Sequence, residues 1–317
     1  MKILITGITG LFGSYLAKEF AALGDIHGFR RNHSSLRLLQ EIEFPITWHE
    51  GELSDIESLE NALEGIDLVI HAAGKVSFDP GEKDSLHATN VEGTTNLINA
   101  MLNIGVRKLL HVSSVSAIGR STELNQLDEN FKWTQSPLNT DYGISKYLAE
   151  LEAWRGEQEG LDLIVVNPSI LLGKVSDDRS STDIYHYVIE ENSYYPQGDL
   201  NYIDVRDAAR QARELVEKEA WGERFILNKE SISYKEFFEK TANAFGKKAP
   251  SKLVRPFMLK TVVFFNTIAR KLGLSKSPLN RKTAKISQQK VYFDNSKVNK
   301  VLKSQYHSLD ETLNWSK

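Results

Sequence analysis

The chain has 317 residues, 41% of them hydrophobic, which is enough for one large α/β unit or two lobes with a shared core. It contains no cysteine, which excludes disulfides, thiol nucleophiles and thiolate metal sites and suits a reducing cytoplasm. The net charge of -3 conceals a basic segment, because residues 247–303 hold fifteen Lys or Arg and one acid, Asp294. These basic residues are dispersed and not interleaved with aromatics, so we predict no nucleic-acid partner, and we expect no bound metal.

The two ends of the chain carry no sign of membrane insertion. The first residues reach Gly7 too soon for the apolar region of a secretory signal. The longest apolar run near the C-terminus covers residues 261–265, far short of the roughly 20 residues that span a bilayer. We therefore expect no targeting segment, no integral membrane segment and a cytoplasmic location.

Short β-rich runs alternate with helical stretches through the first half of the chain. The runs are apolar at nearly every position, as parallel strands covered on both faces are. Strands joined by helices in this way indicate an α/β fold with a Rossmann-type, doubly wound parallel sheet. The predicted strands cover residues 3–6, 25–30, 46–50, 67–73, 108–113, 163–166 and 225–228.

The alternation breaks after Pro168 into a loop-rich stretch. We predict a dinucleotide-binding domain over residues 1–168, to which residues 201–228 return, and a smaller C-terminal substrate-binding lobe over 169–200 and 229–317. Asp207 is predicted to be a scaffold residue that caps the start of a helix. A set of apolar residues in this lobe is predicted either to line a substrate pocket or to pack a helix. These residues are Phe257, Met258, Leu259, Val262, Val263, Phe264 and Phe265.

Residues 6–13 read TGITGLFG and join the first predicted strand to the first predicted helix. Gly7 permits a sharp turn, Gly10 lets the backbone approach a pyrophosphate, and Gly13 lets the helix lie close to the strand. The N–H groups at the helix N-terminus favour phosphate. The turn predicts a dinucleotide site formed by Gly7, Thr9, Gly10, Leu11, Phe12 and Gly13.

The end of the second strand bears on which dinucleotide is bound. NAD-binding proteins place an acid there, about 20 residues past the turn, and NADP-binding proteins place an arginine. Here the chain reads HGFRRN at residues 27–32, without a carboxylate. A guanidinium binds a 2′-phosphate through two parallel hydrogen bonds, so Arg30, and less surely Arg31, favours NADP(H) while NAD stays an alternative.

Tyr142 and Lys146 are four residues apart and lie on one face of a predicted helix. A cation beside a phenol lowers its pKa, so Lys146 is predicted to make Tyr142 a usable acid/base. Upstream, the strand ending SSVSAIG supplies hydroxyls that can polarise a substrate carbonyl. Ser113, Ser114 and Ser116 all compete for that role on this reasoning.

These motifs resemble those of the extended short-chain dehydrogenase/reductases, of the NAD-dependent epimerase/dehydratase type, over nearly the whole chain. The resemblance implies a Rossmann-type fold and places the substrate-binding hydroxyl at Ser114. Family members often pair through helices next to the Tyr142 helix, so it also implies a homodimer. The matching pieces are TGITGLFG at 6–13, HAAG at 71–74, NVEGT at 90–94, SSVSAIG at 113–119, YGISK at 142–146 and NPSILLG at 167–173.

The resemblance implies further cofactor-binding residues in addition to Tyr142 and Lys146. Members often have an Asp after the third strand that holds the adenine, whereas this chain reads Gly51-Glu52-Leu53, so Glu52 with Leu53 takes that place. The other implied residues are Ala72, Ala73 and Gly74 along the cofactor, Asn90 as an ordering residue, and Asn167, Pro168 and Ser169 beside the nicotinamide.

Within the family, the pattern is most similar to the dihydroflavonol-reductase and 3β-hydroxysteroid-dehydrogenase branches. Ser114 is followed by Val115 and Ser116 instead of the acidic pair of sugar-nucleotide dehydratases, so dehydration is not expected. The prediction is an NADP(H)-dependent oxidoreductase that interconverts a carbonyl and an alcohol on a small apolar substrate. The alternatives are a nucleotide-sugar epimerase with tightly bound NAD and a non-catalytic NADP(H)-binding redox sensor.

Overall fold

The computed structural model describes residues 1–177, 182–255 and 280–317. The apolar set predicted between Phe257 and Phe265 lies outside these residues. The described strands are β1 (Lys2–Thr6), β2 (Asp25–Arg30), β3 (Ile46–Glu50), β4 (Leu68–His71), β5 (Lys108–Val112), β6 (Gln126–Leu127), β7 (Asp162–Pro168), β8 (Ile170–Leu172), β9 (Tyr194–Tyr195), β10 (Asp199–Asp204), β11 (Glu223–Leu227), β12 (Glu230–Ser233), β13 (Lys252–Leu253) and β14 (Tyr292–Phe293).

Within the described residues, helices and strands alternate up to β7, except that no α-helix lies between β2 and β3 and that both α3 and α4 lie between β4 and β5. A π-helical segment, His87–Glu92, runs directly into α4. The described α-helices are α1 (Leu11–Phe20), α2 (Ile56–Leu63), α3 (Lys83–Leu86), α4 (Gly93–Ile104), α5 (Val115–Ile118), α6 (Asp141–Gln158), α7 (Asp183–Ile189), α8 (Val205–Glu217), α9 (Tyr234–Phe245), α10 (Arg281–Ile286), α11 (Ser296–Leu302) and α12 (Leu309–Trp315). In this part of the chain no helix is both long and apolar enough to cross a membrane.

Seven parallel strands form the central sheet in the order β3-β2-β1-β4-β5-β7-β11, which confirms the predicted Rossmann-type α/β fold. Buried aliphatic residues cover both faces of the sheet, as their unbroken apolar runs predict. One face packs on α1 and α8 through Leu16, Phe20 and Leu215, and the other packs on α2, α4 and α6. The carboxyl ends of β1, β4, β5 and β7 therefore meet at one edge.

A second, three-stranded sheet pairs β10 with β8 and β12. Tyr202, Phe237 and Leu313 are among the buried residues of its core, which also includes residues of α7, α9 and α12. The segment 201–228 divides between the two units, because β10 lies in the small sheet, α8 packs against α1, and β11 forms the edge of the large sheet. We propose the division into a nucleotide-binding domain and a substrate lobe on this basis.

Asp207 contributes to the scaffold in a different way from the one predicted. Asp204 is the residue that caps α8, accepting a hydrogen bond from Arg206 N at 2.9 Å. Asp207 lies inside the helix, fully buried, and accepts from Arg210 at 2.7 Å and from His307 N at 2.8 Å. Its carboxylate therefore ties the C-terminal segment to α8.

Candidate active site

The glycine turn brings three backbone segments into close contact. Gly7 has a φ of 71°, and a Cβ there would lie 2.5 Å from Ala73 N. A Cβ on Gly13 would lie 2.2 Å from Gly7 O, so α1 packs directly on the turn. No side chain caps α1 at Gly10, and its first turn holds no acid. The turn and the uncapped helix start form a cradle suited to phosphate.

Arg30 lies at the end of β2, where it is paired with a carboxylate of the neighbouring strand. The parallel register sets Arg30 opposite Glu50, and Arg30 Nη2 donates to Glu50 Oε1 at 2.8 Å. The guanidinium lies 4.9 Å from the Trp48 ring centre, and its Nε is buried without a partner among the described residues. Arg31 is exposed. The sequence argument found no acid at the β2 end because the nearby acid belongs to the next strand.

The segment after β4 runs from the glycine turn toward Lys146. A Cβ on Gly74 would lie 3.3 Å from Asn90 Oδ1 and 3.9 Å from Lys146 Nζ. Asn90 accepts from Lys75 N at 2.7 Å and donates through Nδ2 to Lys75 O at 3.0 Å and to Ser145 Oγ at 2.9 Å. Asn90 thus joins this loop to α6 from within the π-helical segment.

Glu52 and Leu53, the two residues predicted to hold the adenine, have different surroundings. Glu52 is exposed, and its carbonyl accepts from Asp55 N at 2.9 Å. Leu53 packs against α4, where a Cβ on Gly93 would lie 2.9 Å from its Cδ1. Its carbonyl accepts from Asn96 Nδ2 at 2.9 Å. The Leu53 side chain therefore packs against α4, whereas the Glu52 side chain reaches solvent.

The three competing serines have different partners. Ser113 donates to Glu150 Oε2 at 2.6 Å and is buried, so its hydroxyl is occupied beneath the site. Ser114 caps α5, accepting from Ser116 N at 3.1 Å, and its hydroxyl lies near the Tyr142 phenol. Ser116 is half-buried one turn further on. The geometry favours Ser114 as the hydroxyl that shares a substrate oxygen with Tyr142.

Tyr142 and Lys146 lie on one face of α6, but their electrostatics differ from the prediction. Burial raises the pKa of Tyr142, and the hydrogen bond from Ser114 opposes that shift. Burial lowers the pKa of Lys146 to about 8, opposed by Glu150. The prediction that Lys146 lowers the phenol pKa does not hold here, because Lys146 Nζ donates to Val112 O at 2.8 Å instead of to the phenol. The phenol is accordingly set up to keep its proton at neutral pH.

Glu150 continues the stripe of Tyr142 and Lys146 by one more turn, and the sequence reasoning missed it. It is buried, and it accepts hydrogen bonds from Ser113 at 2.6 Å, Asn167 Nδ2 at 2.8 Å and Arg224 at 3.1 Å. This carboxylate fixes the ends of three parallel strands around the helix. The i, i+4, i+8 spacing was the available signal.

Two buried histidines underlie the site on β4 and β5. His71 is hydrogen bonded to Thr6 at 2.7 Å and to Thr94 at 3.0 Å. His111 stacks near it with ring centres 5.5 Å apart, and neither of its ring nitrogens has a partner among the described residues. Burial, with the charge on Lys146, lowers the pKa of His71 to about 3 and that of His111 well below its usual range. Both rings are therefore neutral in the folded enzyme.

The segment 167–169 follows the same edge of the sheet. Asn167 Nδ2 donates to Ser114 O at 3.0 Å, which links β7 to the serine turn. Asn167 Oδ1 and Ser169 Oγ are buried and have no hydrogen-bond partner within the described ranges. Two unsatisfied polar atoms at the carboxyl end of β7 are unusual for a closed interior and fit a site that receives a polar ligand.

The arrangement joins a phosphate cradle to a protonated phenol, a polarising hydroxyl and a buried ammonium. Such a set can hold a dinucleotide and exchange a proton with an oxygen of a bound substrate. In residues 1–177, 182–255 and 280–317 no three His, Asp or Glu side chains are grouped so as to hold a metal ion.

Comparisons with known proteins agree with this geometry. A family model described as "NAD dependent epimerase/dehydratase family" matches residues 3–224. A Synechocystis protein named "Putative dihydroflavonol 4-reductase" is 30% identical over 92% of this chain and 87% of its own length. Cinnamoyl-CoA reductase 1 of Petunia hybrida is 28% identical over 91% of this chain and 92% of its own length. The crystal structure of gox2253 superimposes with a TM-score of 0.83 at 28% identity, covering 99% of this chain and 97% of the other.

The fold, the site and these relatives define the class: the protein is an NAD(P)-dependent oxidoreductase. The chain belongs to the NAD-dependent epimerase/dehydratase family.

Proposed function

We propose that this protein is an NADP(H)-dependent oxidoreductase that interconverts a ketone or aldehyde and the corresponding alcohol on a small, largely apolar substrate. The observation that carries the proposal is the grouping of the Ser114 hydroxyl, the Tyr142 phenol and the buried Lys146 at one edge of the sheet. A cytoplasmic location belongs to the same proposal, since a chain without cysteine suits a reducing compartment.

The residues around the site fit a nicotinamide dinucleotide. Gly7, Gly10 and Gly13, with the start of α1, would hold the pyrophosphate. The unpartnered Asn167 Oδ1 and Ser169 Oγ would face the nicotinamide end. Lys146 keeps donor capacity beyond its bond to Val112 O, which suits the ribose hydroxyls. When bound, the nicotinamide supplies or accepts the hydride.

The chain's own contribution is to hold the substrate oxygen and move one proton. Ser114 donates a hydrogen bond to the carbonyl oxygen, and Tyr142 gives it a proton as negative charge develops. Burial raises the pKa of Tyr142, so the phenol keeps its proton for reduction. In the oxidation direction the phenolate is needed, and we expect the rate to rise with pH.

Replacing Tyr142 with Phe tests the proposal. Turnover of a substrate found by screening aldehydes, ketones and alcohols with NADPH and NADP should fall by about two to four orders of magnitude, with NADPH affinity kept. Tyr147→Phe is the matched control, because Tyr147 is on the same helix and stacks on Trp133 with ring centres 4.1 Å apart. Near-normal turnover in Tyr142→Phe contradicts the mechanism.

The preference for NADP rests on Arg30. Charged hydrogen bonds to a 2′-phosphate are each worth about 1.5–3 kcal/mol, so Arg30→Met should weaken NADPH binding about 10- to 100-fold and change NADH binding little. Arg107→Met, at an exposed arginine that donates to the carbonyl of Gly160, is the control. Fluorescence titration with both cofactors measures the difference, and equal losses for NADPH and NADH would refute the preference.

One observation favours a second candidate, the nucleotide-sugar epimerase with tightly bound NAD. Glu50 places a carboxylate against Arg30, and an acid in this region suits an unphosphorylated ribose. An epimerase would keep its cofactor through purification and would consume no added NADPH.

A further inference from the structure

Arg120 lies at the end of the turn that carries Ser114. Ser114 begins α5, Gly119 ends it with a φ of 101°, and Arg120 follows directly. The hydroxyl that contacts Tyr142 and the guanidinium of Arg120 are therefore at opposite ends of one short, buried turn. Such a turn sets a fixed spacing between the two groups.

The surroundings of this guanidinium come from the smaller lobe. It lies 5.4 Å from the ring centre of Phe293 on β14 and close enough to Tyr234, the first residue of α9, for their charges to interact. Burial lowers the pKa of Arg120, and Tyr234 opposes that shift. Asp199 acts on Tyr234 and forms no ion pair with Arg120.

Arg120 differs from the other partly buried arginines of the described residues in its lack of a carboxylate partner. Counting only the residues that the structure describes, it forms neither an ion pair nor a hydrogen bond. Other partly buried arginines are each paired with a carboxylate, namely Arg30, Arg155, Arg206, Arg210, Arg213 and Arg224. Arg120 is half-buried, so its guanidinium gives up part of its hydration without gaining a carboxylate partner, and it is left available to a ligand.

Aromatic side chains lie near both ends of the turn that joins Ser114 to Arg120. Phe78 packs edge-on against Tyr142, with ring centres 5.7 Å apart. A Cβ on Gly119 would lie 3.1 Å from Trp133 and 3.5 Å from Phe131. Apolar rings thus flank both ends of this turn, and the guanidinium lies at the end away from Ser114.

We propose that Arg120, assisted by the Tyr234 hydroxyl, binds an anionic oxygen group of the substrate, either a carboxylate or a phosphate ester. The substrate is then a carbonyl compound with an apolar body and one terminal anion. Planar guanidinium groups bind both anions through paired hydrogen bonds. This inference rests on the proposed function and narrows its substrate class.

A matched set of aldehydes tests it: 4-carboxybenzaldehyde, its methyl ester and 4-formylphenyl phosphate, each reduced with NADPH. The wild type should prefer an anionic aldehyde over the neutral ester. Arg120→Met should lower kcat/KM for the anionic aldehydes about 10- to 100-fold, mainly through KM, and leave the ester within about threefold. The acid and phosphate arms show which anion is preferred.

Two controls keep the result interpretable. Arg107→Met removes an exposed arginine that contacts only the carbonyl of Gly160 among the described residues, and should change neither preference. Arg120→Met without ligand should unfold at the same temperature as the wild type or higher, because the substitution removes a partly buried charge that has no ion pair or hydrogen bond among the described residues. Equal kinetic losses for acid and ester, or no preference in the wild type, would overturn the inference.

Binding decides the matter even if no aldehyde is reduced. Calorimetry with benzoate and benzamide compares an anion with a neutral molecule of the same size. Benzoate binding that disappears in Arg120→Met supports the anion site while the failed reduction counts against the proposed function. Benzoate affinity that is the same in both proteins overturns the anion site whatever the kinetics show.

Discussion

His111 places an unsatisfied, neutral imidazole beneath the ammonium of Lys146. His71, beside it, has a defined tautomer: Thr94 donates to Asn90 O at 2.6 Å, so His71 Nε2 must donate to Thr94 and Nδ1 must accept from Thr6. The two rings keep the space below Lys146 polar without adding charge. They also make folding sensitive to acid.

The free energy of unfolding should fall as pH drops below about 6.5. An unfolded histidine takes up a proton there, while His71 and His111 stay neutral in the folded state, so each costs about 1.4 kcal/mol per pH unit. His111→Leu should shrink the stability difference between pH 7.5 and pH 5 by about 2 kcal/mol. Urea unfolding at the two pH values measures this, with His33→Leu at an exposed histidine as the control. An unchanged difference in His111→Leu would contradict the buried neutral state.

Individual residues show where sequence reasoning succeeded and where it stopped. The places of Tyr142, Lys146 and the glycines followed from local patterns, because helix periodicity and turn formation depend on residues that are close together in the sequence. Glu50 and Glu150 were missed because strand register and helix docking set their partners, and these depend on residues far away in sequence. The phenol pKa was wrong in direction for the same reason, since burial is a property of the fold.

At the scale of elements, α1 and β1 are held together by the glycine turn. The predicted strands of the central sheet were found because most of them are apolar at nearly every position, whereas the π-helical segment at Asn90 has no signal in the period of hydrophobic residues. Asp204 took the capping role predicted for Asp207 because the helix begins at Val205, three residues before the start that capping by Asp207 requires.

Two alanine substitutions in the turn should separate folding from binding. Gly13→Ala forces a Cβ against the backbone of Gly7 and Ile8, which we expect to cost about 2–3 kcal/mol or more. Gly10→Ala brings its Cβ only to 3.2 Å from Gly7 O, so the protein should fold while NADPH affinity falls at least about tenfold. Thermal unfolding and NADPH fluorescence titration report the two effects. Full NADPH affinity in Gly10→Ala would contradict the placement of the cofactor phosphates at this turn.

Across the whole molecule, α12 ties the small lobe to the large sheet. Thr312 donates to Asp204 at 2.8 Å, and the Trp315 ring lies 3.8 Å from the Arg206 guanidinium and meets Tyr15 edge-on. Leu313, on the same helix, is fully buried in the core of the small lobe. The same short helix therefore contributes to both units.

Leu313→Ala should destabilise both units together. The lost packing should cost about 2–5 kcal/mol, and the loss of NADPH binding should coincide with unfolding in one transition. Circular dichroism and NADPH fluorescence followed through the same urea titration test this. Val301→Ala, at an exposed apolar residue, is the control. Two separate transitions would show that the lobes unfold independently.

The stripe of Tyr142, Lys146 and Glu150 makes α6 intolerant of changes in length. Each residue turns a helix by about 100°, so one residue inserted between Tyr142 and Glu150 would rotate the proton donor away from the carboxylate that anchors the strand ends. The same insertion after Glu150 would leave all three in place. The spacing of the three groups along α6 can therefore change only by loss of the site.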